Sequence, residues 1–234
     1  MEQIMSDSNE LYFRMPWSKR IFDLVAACCA LLFLSPILFL AIIAIRIESK
    51  GKVIYRSSRM GRRLDVFYLY KLRSMYVGGD KDLEELLKKQ NQCTPENRET
   101  AVDFSLPCPQ YAARILNDPR ITRVGKFIRN TGIDNIPQLI NVIRGDMSIV
   151  GNRPLPVYEA VLMTRGEMGI RFLAPAGIIG LWQVEQKAFN GLIPEEQRMQ
   201  LDNEYASHYA GDNYSFFYDM KLIVRTVRGW FSGL

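Results

Sequence analysis

DPRITRVGKFIRNTGIDNIPQLINVIRGDMSIVGNRPL, residues 118 to 155, is the stretch on which the reading of this chain turns. Arg120, Arg123, Lys126 and Arg129 precede Asp134, and Arg144 and Arg153 follow it. Between them, Leu139, Ile140, Val142 and Ile143 supply the apolar side of a helix. The spacing predicts that it starts with Asp134 or Asn135 as N-cap, carries Pro137 in its first turn and stops at Gly145. The free N–H groups and dipole of a helix start stabilise a nearby carboxylate or phosphate, so Asp134 is expected to be ionised. An aspartate ahead of a helix is most often a local cap and nothing more. The cations around this one exceed what a cap requires, and planar guanidinium groups suit phosphate recognition. A carboxylate in that setting reads as a nucleophile or a metal ligand beside a phosphorylated substrate.

The whole chain limits the alternatives. Its 234 residues and 48% hydrophobic content support a real core, and the net charge of +5 fits an anionic substrate, an anionic membrane surface or nucleic acid alike. Cys28, Cys29, Cys93 and Cys108 have no metal-ligand spacing, which argues against a disulfide framework or a zinc site. The single histidine, His208, has no serine or cysteine motif near it, so a structural or surface role is expected.

Toward the N-terminus, residues 1–16 read as a polar tail with Tyr12 and Phe13 near its end, followed by Trp17. Leu24 to Ile45 is apolar, interrupted only by Ser35-Pro36, and is long enough for the roughly 20 residues that cross a bilayer. Cations flank both ends: Arg14, Lys19 and Arg20 before, then Arg46, Lys50, Lys52, Arg56, Arg59, Arg62 and Arg63. Both ends therefore prefer the cytoplasm, and Pro36 invites a bend with Ser35 available to satisfy freed backbone groups. Residues 17–47 are expected to form a re-entrant membrane helix, with a straight span as the alternative.

Beyond it, Lys52–Tyr55 and Val66–Leu72 around a Gly61–Asp65 turn predict a hairpin lined by Arg59, Lys71 and Arg73. Asp80–Gln90 reads as a charged helix within a polar insertion near 78–112, and Pro154–Arg165 as a loop leading into a short helix. Residues 174–184, APAGIIGLWQV, read as a turn and a strand, with Gly177 and Gly180 permitting close approach to a ligand. Residues 194–210 read as a polar helix. The C-terminus reads as an amphipathic helix with Met220, Ile223, Val224, Val227, Trp230 and Phe231 on one face and Lys221, Arg225 and Arg228 on another, a pattern for the membrane interface or for core packing.

Six ordered blocks carry a resemblance: SKRIFDLV (18–25), LLFLSPILFL (31–40), YRSSRMGRRLDVFYLYKLRSM (55–75), the 118–155 stretch, APAGIIGLWQV (174–184) and FFYDMKLIVRTV (216–227). Over about residues 17–234 the chain resembles the monotopic phosphoglycosyltransferases, also called the bacterial sugar transferase family. The resemblance implies a helix-rich α+β fold: a re-entrant membrane helix with interfacial amphipathic helices, and a compact domain, residues 48–234, on the cytoplasmic face of the bacterial inner membrane. It implies transfer of a phosphosugar from a nucleotide diphosphosugar, by resemblance a UDP-sugar, to polyprenyl phosphate, with Mg²⁺ as cofactor. Asp134 matches the nucleophile, which would also hold the metal. Arg129 and Arg153 match motif arginines and are the expected phosphate contacts, with Lys71, Arg73 and Arg59 behind them. Membrane lipid is an implied partner, whereas no nucleic-acid-binding module is recognisable.

Three positions depart from the family pattern. Asn135 stands where the family has the glutamate of an Asp-Glu dyad; its carbonyl can meet a metal, but it can act neither as a base nor as a charge. Ile179 replaces a threonine and Asn152 a proline. The first departure keeps a rival reading open, an impaired relative that binds lipid phosphate or serves as a scaffold.

Overall fold

The computed structural model describes residues 15–77, 120–162, 166–188, 193–210 and 214–231. The expected tail before residue 15, the helix over 80–90 and the insertion near 78–112 lie outside the described residues. The described chain is helix-rich α+β and divides into two compact units. The first comprises residues up to Ser35, Arg56–Lys71 and those from Asn135 onward; the second comprises Pro36–Tyr55 and Leu72–Asp134.

Helix α1, Trp17–Glu48, runs for 32 residues through Ser35-Pro36. Pro36 has no N–H to give the Leu32 carbonyl, and the Ser35 hydroxyl donates to that carbonyl instead at 2.7 Å, so the break expected from proline is repaired locally. Leu32 and Phe33 are 77% and 82% exposed, and Phe39 and Leu40 are exposed after them. Among the described residues this is the one helix long and apolar enough to cross a membrane.

In the first unit, β1 is Ile54–Met60 and β2 is Val66–Leu72, joined through Gly61–Asp65 with the Gly61 N–H donating to the Asp65 carbonyl at 2.8 Å. The expected hairpin is present, but β1 begins and ends later than 52–55. Its polar middle, Arg56-Ser57-Ser58, still forms a strand because β1 lies centrally, between β2 and a strand the sequence concealed. That strand is β4, Leu155–Pro156, antiparallel to β1 with Arg59 opposite Pro156 and Met60 opposite Leu155, and it leads into the short helix α4, Val157–Leu162. Two residues ending in proline read as loop, and such a strand is tolerated only at an edge.

The second sheet pairs β3, Ser148–Val150, with β5, Gly177–Ile179, in parallel. The strand expected to run on to Val184 stops there, and Leu181–Ala188 is helix α5. Its start is capped by Gln183, whose side-chain oxygen accepts from the Gly180 N–H at 2.9 Å, and Leu181 and Val184 then meet the core at helical spacing. Gly177 does permit a close approach, but to backbone: a Cβ there would overlap the Gly151 N, and one at Gly151 the Pro175 carbonyl. Around these strands α5, α6 (Glu195–Ala210) and α7 (Phe216–Phe231) bury Val150, Leu181, Val184, Tyr205, Ala206, Tyr209 and Leu222.

Two of the cations expected to flank the membrane segment are bound to groups of the first unit. Lys19 is 1% exposed, pairs with the buried Asp219 and donates to the Val150 carbonyl at 2.9 Å. Tyr205 and Tyr214 donate to the same carboxylate at 3.0 and 2.7 Å. Arg20 donates to the Val142 and Ile143 carbonyls at 2.6 and 2.8 Å, capping the C-terminal end of α3, Gln138–Arg144. Helix α7 turns Asp219 and Leu222 inward and pairs Arg225 with Glu185 at 2.8 Å, while Phe217, Val224 and Val227 face outward. His208 stacks on Tyr218 with centroids 4.3 Å apart.

In the second unit, Ala41 and Ile45 of α1 pack with Leu72 and Ile128, and α2 is Arg123–Thr131.

Candidate functional site

In the second unit, α2 carries Arg129 and leads directly to Asp134. The first turn of α2 has its N–H groups satisfied by side chains. The Thr122 hydroxyl accepts from the Gly125 N–H at 2.8 Å, and the Glu48 carboxylate accepts from Arg123 and Val124 at 2.7 and 3.0 Å. A Cβ on Gly125 would overlap the Ser74 carbonyl, so glycine is what lets α2 lie against that residue. The buried Ser74 hydroxyl then accepts from the Arg129 Nε at 2.6 Å, holding an arginine that is otherwise exposed.

Helix α2 ends at Gly132, φ 73°, and a 3₁₀ turn follows over Ile133–Asn135, with Asp134 buried. This corrects the expected N-cap. Helix α3 begins at Gln138, and its N-cap position is Pro137. Asn135 is half-buried and its Oδ1 accepts from the Gln138 Nε2 at 2.7 Å.

Arg73 is buried, and its guanidinium donates to the Ser49 carbonyl and hydroxyl, each at 2.7 Å, and to the Lys50 carbonyl at 3.0 Å. It holds the C-terminal end of α1, in the same unit.

In the first unit, Arg153 is exposed and follows β3 in the segment Gly151–Pro154. The Asn152 amide donates to the Arg171 and Asp202 carbonyls, both at 2.9 Å. Arg171 donates to the Arg153 carbonyl at 3.0 Å and pairs with the Asp202 carboxylate at 2.9 Å, both side chains almost wholly buried. Burial pushes the Asp202 carboxyl up to about 6, against the lowering effect of Arg171 and then Arg153. Arg59, in β1, and Lys71, in β2, are half-buried. The charge of Arg59 reaches the Tyr158 hydroxyl, which donates to Glu159 at 3.0 Å. The structure thus brings Arg129 onto the element that ends at Asp134, and Arg153 onto a separate, heavily braced segment.

Sequence reasoning missed Glu48, Ser74, Arg171 and Asp202. Only Ser74 had a local signal, its place in the KLRSM run; the others act across separations that no motif spans.

The chain belongs to the bacterial sugar transferase family, whose model matches residues 14–233. It is 38% identical over 210 residues to the UDP-galactose-lipid carrier transferase of Erwinia amylovora, covering 89% of this chain and 39% of that one. It is 32% identical over 211 residues to the exopolysaccharide production protein ExoY of Rhizobium meliloti, covering 90% and 84%. It is also 32% identical over 213 residues to the UDP-glucose:undecaprenyl-phosphate glucose-1-phosphate transferase of Caulobacter vibrioides, covering 89% and 68%. The chain therefore spans well under half of the Erwinia relative and most of the Rhizobium one.

Proposed function

We propose that this protein transfers a phosphosugar from a UDP-sugar to a polyprenyl phosphate through an aspartyl-phosphosugar intermediate, starting a membrane-linked glycan. The observation that carries this reading is Asp134 itself: a buried carboxylate one short turn beyond the helix that bears Arg129. The Asp134 carboxylate attacks the sugar-linked phosphorus, the bond to the leaving phosphate breaks, and uridine monophosphate departs. An oxygen of polyprenyl phosphate then attacks the same phosphorus, releasing the carboxylate and forming the lipid diphosphosugar. Arg129 and Arg153 meet phosphate oxygens and offset the repulsion between anions, with Lys71 and Arg59 contributing charge and Arg73 holding the end of α1. The names of the Erwinia and Caulobacter relatives support the substrate classes.

Mg²⁺ takes one or two carboxylates and completes its shell with water and substrate phosphate. No group of three or more candidate ligands occurs among the described residues, and a single carboxylate, Asp134, fits an ion that arrives with the diphosphate. When bound, the ion neutralises charge on the phosphoryl oxygens.

The proposal places α1 as a re-entrant element at the cytoplasmic face of the inner membrane. Each end of α1 is fastened to folded chain, by Lys19 at one end and by Glu48 and the Arg73 bonds at the other. Cysteines placed at Trp17 and Lys50, in a chain lacking its own, should both react from the cytoplasmic side; reaction from opposite sides would overturn re-entry.

The activity test uses the full chain in nanodiscs with polyprenyl phosphate, Mg²⁺ and a panel of UDP-sugars, with release of uridine monophosphate as readout. Turnover should vanish in Asp134→Asn and on chelation of the metal. Without lipid acceptor, sugar-labelled substrate should leave phosphosugar on the wild-type chain and none on Asp134→Asn. Turnover retained by that variant sinks the mechanism, and no turnover across the panel favours the scaffold reading.

A further inference from the structure

The segment Gly151–Pro154 is gripped along its length by the first unit. Just before it, the Val150 carbonyl accepts from both Lys19 and Tyr205. The Gly151 N–H donates to the Ile179 carbonyl at 2.9 Å and the Asn152 N–H to the Pro175 carbonyl at 3.0 Å, while the Asn152 carbonyl accepts from Gly177 at 2.8 Å. The Asn152 side chain reaches in a further direction, bonding one carbonyl in the 3₁₀ helix Gly166–Leu173 and one in α6. Arg171 closes the set by holding the carbonyl of Arg153 itself.

We infer that Asn152 and the buried Arg171–Asp202 pair are positioning residues for Arg153, presenting its guanidinium to a phosphate in one orientation. The inference rests on the proposed role of Arg153 as a phosphate contact.

Three physical points carry it. Asn152 stands where the resemblance led us to expect proline, and proline could make neither side-chain bond nor the N–H bond to Pro175. A buried ion pair commonly adds no more stability than apolar residues of the same volume, so packing alone does not account for Arg171 and Asp202. Both partners are also tied to Arg153: one bonds its carbonyl, and the carboxylate of the other acts on its charge. A backbone held in this way has little freedom left to lose when the side chain binds an anion, which is how preorganisation improves recognition.

The bland alternative is that the network only joins the 3₁₀ helix to α6. A double-mutant cycle separates the two. In the nanodisc assay, Asn152→Ala should lower kcat/KM for the UDP-sugar about tenfold. In an Arg153→Ala background the same change should cost less than about twofold, because there is no longer a guanidinium to position. An equal loss in both backgrounds overturns the inference, as does an Arg153→Ala chain with wild-type kcat/KM. Should Asn152→Ala fail to fold, Asn152→Ser takes its place in the cycle: it keeps a small polar side chain and the backbone N–H but is too short to reach both the Arg171 and Asp202 carbonyls. An additive cycle alongside an inactive Asp134→Asn removes only the positioning role, whereas an active Asp134→Asn removes the reaction itself.

Discussion

Arg129 and Arg153 are both exposed arginines on braced backbone, but the two units brace them by different physics. Arg129 depends on close packing and one neutral acceptor: Gly125 lets α2 meet Ser74, and the Ser74 hydroxyl takes the Arg129 Nε. Arg153 depends on buried charge: Lys19 with Asp219 secures the strand before it, and Arg171 with Asp202 secures its own carbonyl. The neutral support is insensitive to pH and intolerant of added volume. The ionic support does not tolerate loss of one partner, and its Asp202 member makes it depend on pH.

Removing one charge should have the largest effect. Lys19→Met leaves Asp219 buried without its cation, and breaking a buried pair in this way costs about 3–5 kcal/mol. Chemical unfolding in detergent should read a loss of that size, and a loss below about 1 kcal/mol would mean that Tyr205 and Tyr214 alone satisfy the carboxylate.

Added volume comes next. Gly125→Ala drives a methyl into the Ser74 carbonyl, a backbone atom that cannot swing aside, and should destabilise by up to about 3 kcal/mol. An unchanged melting temperature would show that the neutral support is looser than described.

The pH response of the ionic support follows from Asp202. Its carboxyl is raised in the fold to about 6 from an ordinary value of 3.8, so between those values the folded chain binds more protons than the unfolded one. Its contribution is complete below the unfolded value and is lost as pH rises through the folded one, by about 2–3 kcal/mol. Wild type should therefore lose stability relative to Asp202→Asn between pH 4 and pH 7. Parallel melting curves across that range would place the Asp202 carboxyl near its ordinary value.

The smallest effect belongs to Ser74→Ala, which keeps the backbone contact with Gly125 and deletes only the acceptor. We expect kcat/KM for the nucleotide sugar to fall about five- to tenfold, with little change in melting temperature. Wild-type kinetics would mean that α2 alone holds Arg129.

Much of this molecule was legible before its structure. The apolar segment around Ser35-Pro36, the hairpin around Gly61–Asp65 and the stop at Gly145 follow from local composition, and the roles proposed for Asp134, Arg129 and Arg153 rest on ordered motifs. Those signals act within a few residues, where backbone chemistry and side-chain spacing are decisive. Where non-local partners intervened, local reading failed. Leu181–Val184 reads as strand until Gln183 caps a helix at Gly180, and Leu155-Pro156 reads as loop until β1 lies beside it. Lys19 reads as a membrane-flanking cation until Asp219, 200 residues away, is found against it. The sequence by itself determined the family, the apolar helix and the candidate nucleophile, because each is written in contiguous residues. Only the tertiary structure decided that α3 starts after Pro137, that Arg73 holds the end of α1, and that Arg153 stands on a buried ion pair. Those outcomes depend on which groups meet across the fold, and burial then sets what each meeting costs or contributes.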